Sequence, residues 1–220
     1  MGRTITALEA QKRNKDRVNV YLDGEFAFGL ALMEAAHLHK GQVLSDDDIA
    51  DLRARDEVTR AVDRAINLLA RRPYSTTEIR RNLIKHDIDN AVIDAALERL
   101  VNLGYVDDRA FAEFWVENRD RFRPRGPRAL RYELRQKGVA PDIIDSVLQD
   151  LDAGDAAYRV AQGKLSRWRG LTEDDFRKKM MAFLGRRGFD YDVIRDVVER
   201  VMAELENEQP DYFALEHTEE

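Results

Sequence analysis

Arginine is the residue type through which this sequence can do chemistry. Six arginines fall between Arg119 and Arg131, and Arg135 and Lys137 follow within two turns of a helix. A guanidinium keeps its charge at any physiological pH. It presents a rigid fork of donors that grips a carboxylate or phosphate through two bonds, where a lysine acts as a point charge. In the same stretch Leu130 and Leu134 make an apolar i, i+4 pair, while Arg128, Arg131 and Arg135 sit at i, i+3, i+7 on another side of the helix. One side suits a core and the other a partner; the plainer alternative is a solvated basic face.

Other chemistries fail on residue type or spacing. The chain has no cysteine, which excludes disulfides, a thiolate nucleophile and cysteine-ligated zinc. Its four histidines stand in no triad-like or zincin spacing, and His37 and His39 lie two apart, on different helix faces. Asp46, Asp47 and Asp48 follow Ser45 and read as the acidic first turn of a capped helix. A cation site is the weaker reading, because no glycine-bearing calcium loop follows. There is no P-loop and no dinucleotide glycine fingerprint. A non-enzyme is expected, with no metal and no cofactor.

The elements that position the arginines come from periodicity. Thr4 to Gln11, Val18 to Leu22 and Glu25 to Phe28 are short β-rich runs, and Asp23-Gly24 between two of them signals a two-residue hairpin turn. A small antiparallel sheet therefore opens the chain, followed by a short helical run from Ala31 to His37 and a helix start at Ser45. From Glu57 the pattern is helical and triplicated. Ile79, Leu83, Ile88, Val92, Ile93, Leu97 and Leu100 are spaced 4, 5, 4, 1, 4 and 3 apart, and the same spacings recur from Leu130 to Leu151 and from Met180 to Val201. Offsets of 51 and 50 residues are those of stacked helical units that cannot bury their apolar faces alone.

Punctuation repeats too. Ser75, Gly126 with Pro127, and Thr172 cap the middle helix of each unit, and Asp87, Gly138 and Gly188 end it. The third middle helix is expected to be about one turn longer, since Thr172 precedes Met180 by eight residues. Helices from Val58 to Leu69, Arg109 to Asn118 and Asp155 to Leu165 lead into the caps. The fold expected is mainly α, with tandem three-helix repeats after a small antiparallel β-hairpin or sheet. Its segments are 1–44 for the hairpin, 45–106 for a linker helix and repeat 1, 107–152 for repeat 2, 153–205 for repeat 3, and 206–220 for a flexible acidic tail.

Composition adds limits. With 220 residues, 44% hydrophobic, the chain has ample material for a folded core. No run of eighteen apolar residues exists and the first residues lack an apolar signal core, so no membrane partner and a cytoplasmic location are expected. The net charge of −6 is a poor guide to partners, because Glu204 to Glu220 carries seven carboxylates and no base.

Three stretches resemble the RecX regulatory proteins that modulate the RecA recombinase. Leu103 to Ala112 (LGYVDDRAFA) is similar to that family's junction between repeats. Arg125 to Val139 is similar to its middle-repeat signature, and Phe183 to Phe189, with Val193-Ile194, to that of the third. The resemblance covers about Thr4 to Leu205. It implies a curved array of three-helix repeats bound in the groove of a RecA filament on single-stranded DNA, with inhibition as the usual effect and free DNA as a further partner of some members. The N-terminal hairpin occurs in only some of them.

Aligned by repeat, the middle helices supply the candidate contacts: Arg80, Arg81 and Lys85; Arg125, Arg128, Arg131, Arg135 and Lys137; Lys178, Lys179, Arg186 and Arg187. Stacked units would set these side by side as an electrostatic stripe. Phe122, Tyr132 and Trp168 are candidates to stack on bases, with packing at helix ends as the alternative. A monomer that regulates RecA is the leading reading. A helical-repeat protein that reads duplex DNA directly is the competing one.

Overall fold

The computed structural model describes residues 2–214, which divide into two compact units between Asp107 and Asp108. In the N-terminal unit β1 (Arg3–Ala10), β2 (Arg17–Leu22), β3 (Glu25–Ala31) and β4 (Val43–Leu44) form an antiparallel sheet in the order β3-β2-β1-β4. Alternation in β2 buries Val18, Val20 and Leu22 on one face. Asp23 and Gly24 turn the chain with φ of 53° and 91°, the two positive values that a type I′ hairpin needs.

After α1 (Leu32–Ala35) comes α2 (Asp46–Leu69), a single helix of 24 residues. The sequence reading divided it into a linker helix and a helix from Val58. Nothing in its sequence stops it, since it holds neither glycine nor proline. Ser45 and Asp48 form a full capping box at its start. Its first half packs Ile49 and Leu52 against the sheet core, and its second half packs Ala61, Val62 and Ala65 on α3 (Thr76–Ile84) and α4 (Asn90–Asn102). Between the halves lies Asp56, a buried carboxylate. It accepts hydrogen bonds from Arg17 Nη2 at 2.7 Å and from the Ala31 amide at 2.9 Å, tying β2 and β3 to the helix.

The C-terminal unit holds α5 (Asp108–Phe122), α6 (Pro127–Gln136) and α7 (Pro141–Gln149), then α8 (Ala153–Gln162), α9 (Leu165–Trp168), α10 (Glu173–Arg186) and α11 (Tyr191–Glu208). The protein is thus mainly helical, with three tandem three-helix repeats. The matched positions Ile79, Leu130 and Met180, then Leu83, Leu134 and Leu184, then Ile93, Ile144 and Ile194 are all buried. Asp87, Gly138 and Gly188 follow the middle helices with φ of 56°, 79° and 84°. That left-handed backbone ends a helix, and glycine takes it without strain. α10 has 14 residues against 10 in α6, the expected extra turn. The small helix α9 is an addition that the periodicity did not indicate.

In its described part, up to residue 214, the acidic segment differs from its reading as a flexible tail. α11 runs on to Glu208, because Leu205 continues the buried line of Val198, Val201 and Met202, and Pro210 stands just beyond. Tyr212 is buried against Phe176 and Phe213, and its hydroxyl donates to Leu165 O at 2.7 Å. Residues 215–220 lie outside the described part. Among the described residues, no helix is long and apolar enough to cross a membrane.

Candidate functional site

In the C-terminal unit the last turn of α10 meets the first turn of α6. Arg187 O accepts the Gly126 amide at 2.9 Å, and Gly188 O accepts the Arg128 amide at 3.2 Å. Glycine is required on both sides. A Cβ at Gly126 would stand 2.2 Å from Gly188 O, and one at Gly188 would stand 2.5 Å from the Ala129 amide nitrogen. Two of the expected basic clusters are therefore joined end to start. From α10, Lys178, Lys179, Arg186 and Arg187 lead to Arg125 and Arg128, and onward along α6 to Arg131, Arg135 and Lys137.

These cations divide by what they already touch. Arg128 is 70% exposed and has only a loose 4.0 Å approach to Asp190. Arg135 and Arg186 are exposed and make no ion pair among the described residues. Tyr132 lies at i+4 from Arg128 and i−3 from Arg135, so the three share one outward face of α6; the tyrosine is 66% exposed. Lys178 makes an exposed 3.5 Å pair with Asp174, which weighs little.

Arg131 is held instead. Its Nε and Nη2 donate to Asp145 Oδ1 on α7 at 3.2 and 2.8 Å. Arg80 repeats this bond to Asp94 in the N-terminal unit, so the pair recurs at the 51-residue offset and fastens the middle helix to the last. In the third repeat the equivalent positions are Met181 and Arg195, and the pair is gone. Arg81 and Lys85 are exposed near the end of α3.

Two further candidates, Arg187 and Trp168, sit deeper than their reading as open contacts. Arg187 is half-buried: its Nη1 donates to Pro124 O at 3.2 Å and its guanidinium lies 4.8 Å from the Phe183 ring. Burial, and then neighbouring Arg125, lower its pKa, and its hydrogen bond commits it to the junction. Trp168 is buried in the third core, packed edge-on to Phe176 and Phe183, and is closed to bases; Lys179 Nζ lies 5.7 Å from its ring. Lys137 Nζ stands 4.7 Å from the Trp115 ring. Phe122, by contrast, is exposed.

The sequence reading also missed a cluster beneath the basic face. Trp115 Nε1 and Arg119 Nε both donate to Glu133 Oε2, at 2.8 and 2.7 Å, and the Arg119 guanidinium sits 4.3 Å from the indole ring. Arg125 approaches the other oxygen of Glu133 at 4.0 Å. One carboxylate thus pins α6 to α5 inside a crowd of cations. Between repeats, Arg159 Nη2 donates to Asp120 Oδ1 at 2.6 Å.

Comparison with known proteins gives the context for this surface. Family models match residues 3–45 as the regulatory protein RecX N-terminal domain, and 61–100, 107–148 and 152–198 as the first, second and third three-helix domains of RecX. A protein of Lactobacillus gasseri named regulatory protein RecX is 31% identical over 210 residues, 93% of this chain and 77% of that one. Its namesake in Bacillus subtilis is 30% identical, over 93% and 79% of the two chains. Another in Chlorobium phaeobacteroides is 43% identical over 143 residues, 64% and 93% of the two. A crystal structure of regulatory protein RecX superposes with a TM-score of 0.77 at 28% identity, over 90% of this chain and 99% of that one. That of Lactobacillus salivarius RecX, at 0.63 and 21% identity over 68% and 99%, shares the fold. Four domain matches in the order of the observed units, with relatives that span nearly the whole chain, make this protein a member of the RecX family of regulatory proteins.

Proposed function

We propose that this chain is a non-catalytic regulator that binds the RecA recombinase and its filament on single-stranded DNA, and restrains recombination. It acts as a cytoplasmic monomer. Family membership supports RecA as the partner, and the observation that carries the contact is the open row Arg128, Tyr132 and Arg135, continued by Arg186 from the adjoining repeat. Arginine and tyrosine dominate binding energy when a partner buries them. A filament groove offers carboxylates and phosphates together, and a guanidinium fork suits both.

Retention of the protein on RecA-coated single-stranded DNA at low salt, with RecA's ATP hydrolysis followed in parallel, tests this reading. Retention with slowed hydrolysis is expected. No retention together with unchanged hydrolysis would refute it. Selective binding of one duplex over its scrambled counterpart would replace it with direct sequence readout, since phosphate contacts alone carry no sequence.

A further inference from the structure

A second basic surface lies in the N-terminal unit, built mainly on α2 rather than on a middle helix. Arg60, Arg64 and Asn67 stand at i, i+4 and i+7 on one face of α2, and Arg71 continues the line in the turn that follows. They line an open hollow of about 650 Å³, closed on its other sides by the β1–β2 loop at Asn14 and by Asn82 and His86 of α3 and its last turn. Arg60, Arg64 and Arg71 are exposed and make no ion pair among the described residues. Arg131 of α6 and Lys178 of α10 are matched by acids; these three arginines face a single lining carboxylate, Asp63. Arg17 also borders the hollow but is committed to Asp56.

We propose that this hollow binds the sugar–phosphate backbone of a single nucleic-acid strand. The cations do not converge on a point, as a small anion would require. They run for roughly 16 Å along the helix axis, at the 1.5 Å rise per residue, which suits an extended polyanion. Of the lining side chains only Leu68 is apolar, so the surface lacks the apolar core of a protein interface and has the polar, positive character of a nucleic-acid one. Its size lies in the range of small-molecule sites, enough for a short run of one strand and too small for a duplex. Asn14 accepts the Asp16 amide through Oδ1, which leaves its NH2 group as a donor facing the strand. No Phe, Tyr or Trp lines the hollow and His86 is its one aromatic ring, so contacts to the backbone dominate and carry no sequence.

An adjoining hollow shares Arg60, Arg64 and His86 but adds Glu57, Asp87 and Asp89. On that side three carboxylates outnumber the two arginines, so the strand follows the side that holds Arg71.

The test uses the full chain without RecA, so its outcome is separate from that of filament binding. Labelled oligothymidylate, oligouridylate and a duplex are titrated by anisotropy, with polyglutamate as competitor, across a salt series. The triple variant Arg60→Gln, Arg64→Gln, Arg71→Gln should bind either single strand about tenfold more weakly. Its slope of log K against log salt should fall by about 2, near 0.7 for each of three lost phosphate contacts. A charge-matched control at exposed positions outside both basic surfaces, Lys40→Gln, Arg55→Gln and Arg177→Gln, should keep the wild-type slope. Should the first variant melt early, Arg64→Glu alone carries the test. Unchanged affinity and slope, tighter binding of the duplex through the same arginines, or polyglutamate bound in place of the oligonucleotide would each overturn the proposal.

Discussion

A methyl group added at Gly188 would stand 2.5 Å from the Ala129 amide nitrogen, whereas one at Gly104 would meet nothing within 4 Å. The two residues have similar left-handed φ values, 84° and 72°. Gly104→Ala should therefore cost only the backbone strain, about 1–2 kcal/mol. Gly188→Ala adds a clash with fixed backbone and should cost about 3 kcal/mol or more in urea denaturation. Equal losses would mean that the close approach relaxes freely. Replacing Asp56 by Ala should cost about 3–5 kcal/mol, because it strands Arg17 and leaves the Ala31 amide unpaired. Tyr212 gives a pH signature. Burial raises its phenol above the ordinary value of about 10, so the folded chain favours the neutral ring. That stability is complete below the unfolded tyrosine pKa and fades as pH climbs through the folded one. Tyr212→Phe should flatten the alkaline limb of a melting curve. Of these residues, Gly126 was legible as a helix cap, but its contact lies 62 positions away at Gly188, and no local pattern encodes that distance.

At the scale of the element, caps decide where helices begin. Ser75 is fully buried and forms a reciprocal box with Glu78, which also receives both Nη groups of Arg72 at 3.2 Å. Thr172 accepts only the Asp175 amide at 3.2 Å, in the open. Ser75→Ala should thus lose about 2 kcal/mol and Thr172→Ala nearer 1 kcal/mol, both within the usual range for caps. If the two losses match, the box adds nothing to the single bond. Helix period, caps and left-handed stops could be read from the sequence because each acts within a few residues. The continuity of α2 was harder to see. Between Ile49 and Val58 its apolar residues are sparse, and what holds that stretch is the remote sheet and the Asp56 bond. α9 offers one turn, too short for a period.

For the whole molecule, the basic surface depends on which cations neighbouring helices neutralise. Arg131 and Arg80 were expected to meet a partner, yet each is fastened to an aspartate fourteen residues on, across an interhelical turn. Composition shows the arginines; only packing shows which remain open. Reversing charge at Arg128, Arg135 and Arg186 together should lower retention on RecA-coated DNA at least tenfold. Unfolding free energy should shift by no more than about 0.5 kcal/mol per site, as for other surface changes. A fold lost in that variant would make these arginines structural.

The seam at Gly126 and Gly188 has a consequence for how the molecule comes apart. Backbone bonded to backbone across repeats leaves no side-chain layer to slip, so the second and third repeats open together or not at all. The amides of Gly126 and Arg128 then act as clocks. In hydrogen exchange both should keep the slow rate of the deeper repeat core, though each sits at the start of a helix, where exchange is ordinarily fast. Chains of such repeats are usually modular, able to lose one unit at a time. Here two modules share one cooperative fate, and a pull on either end is felt by both.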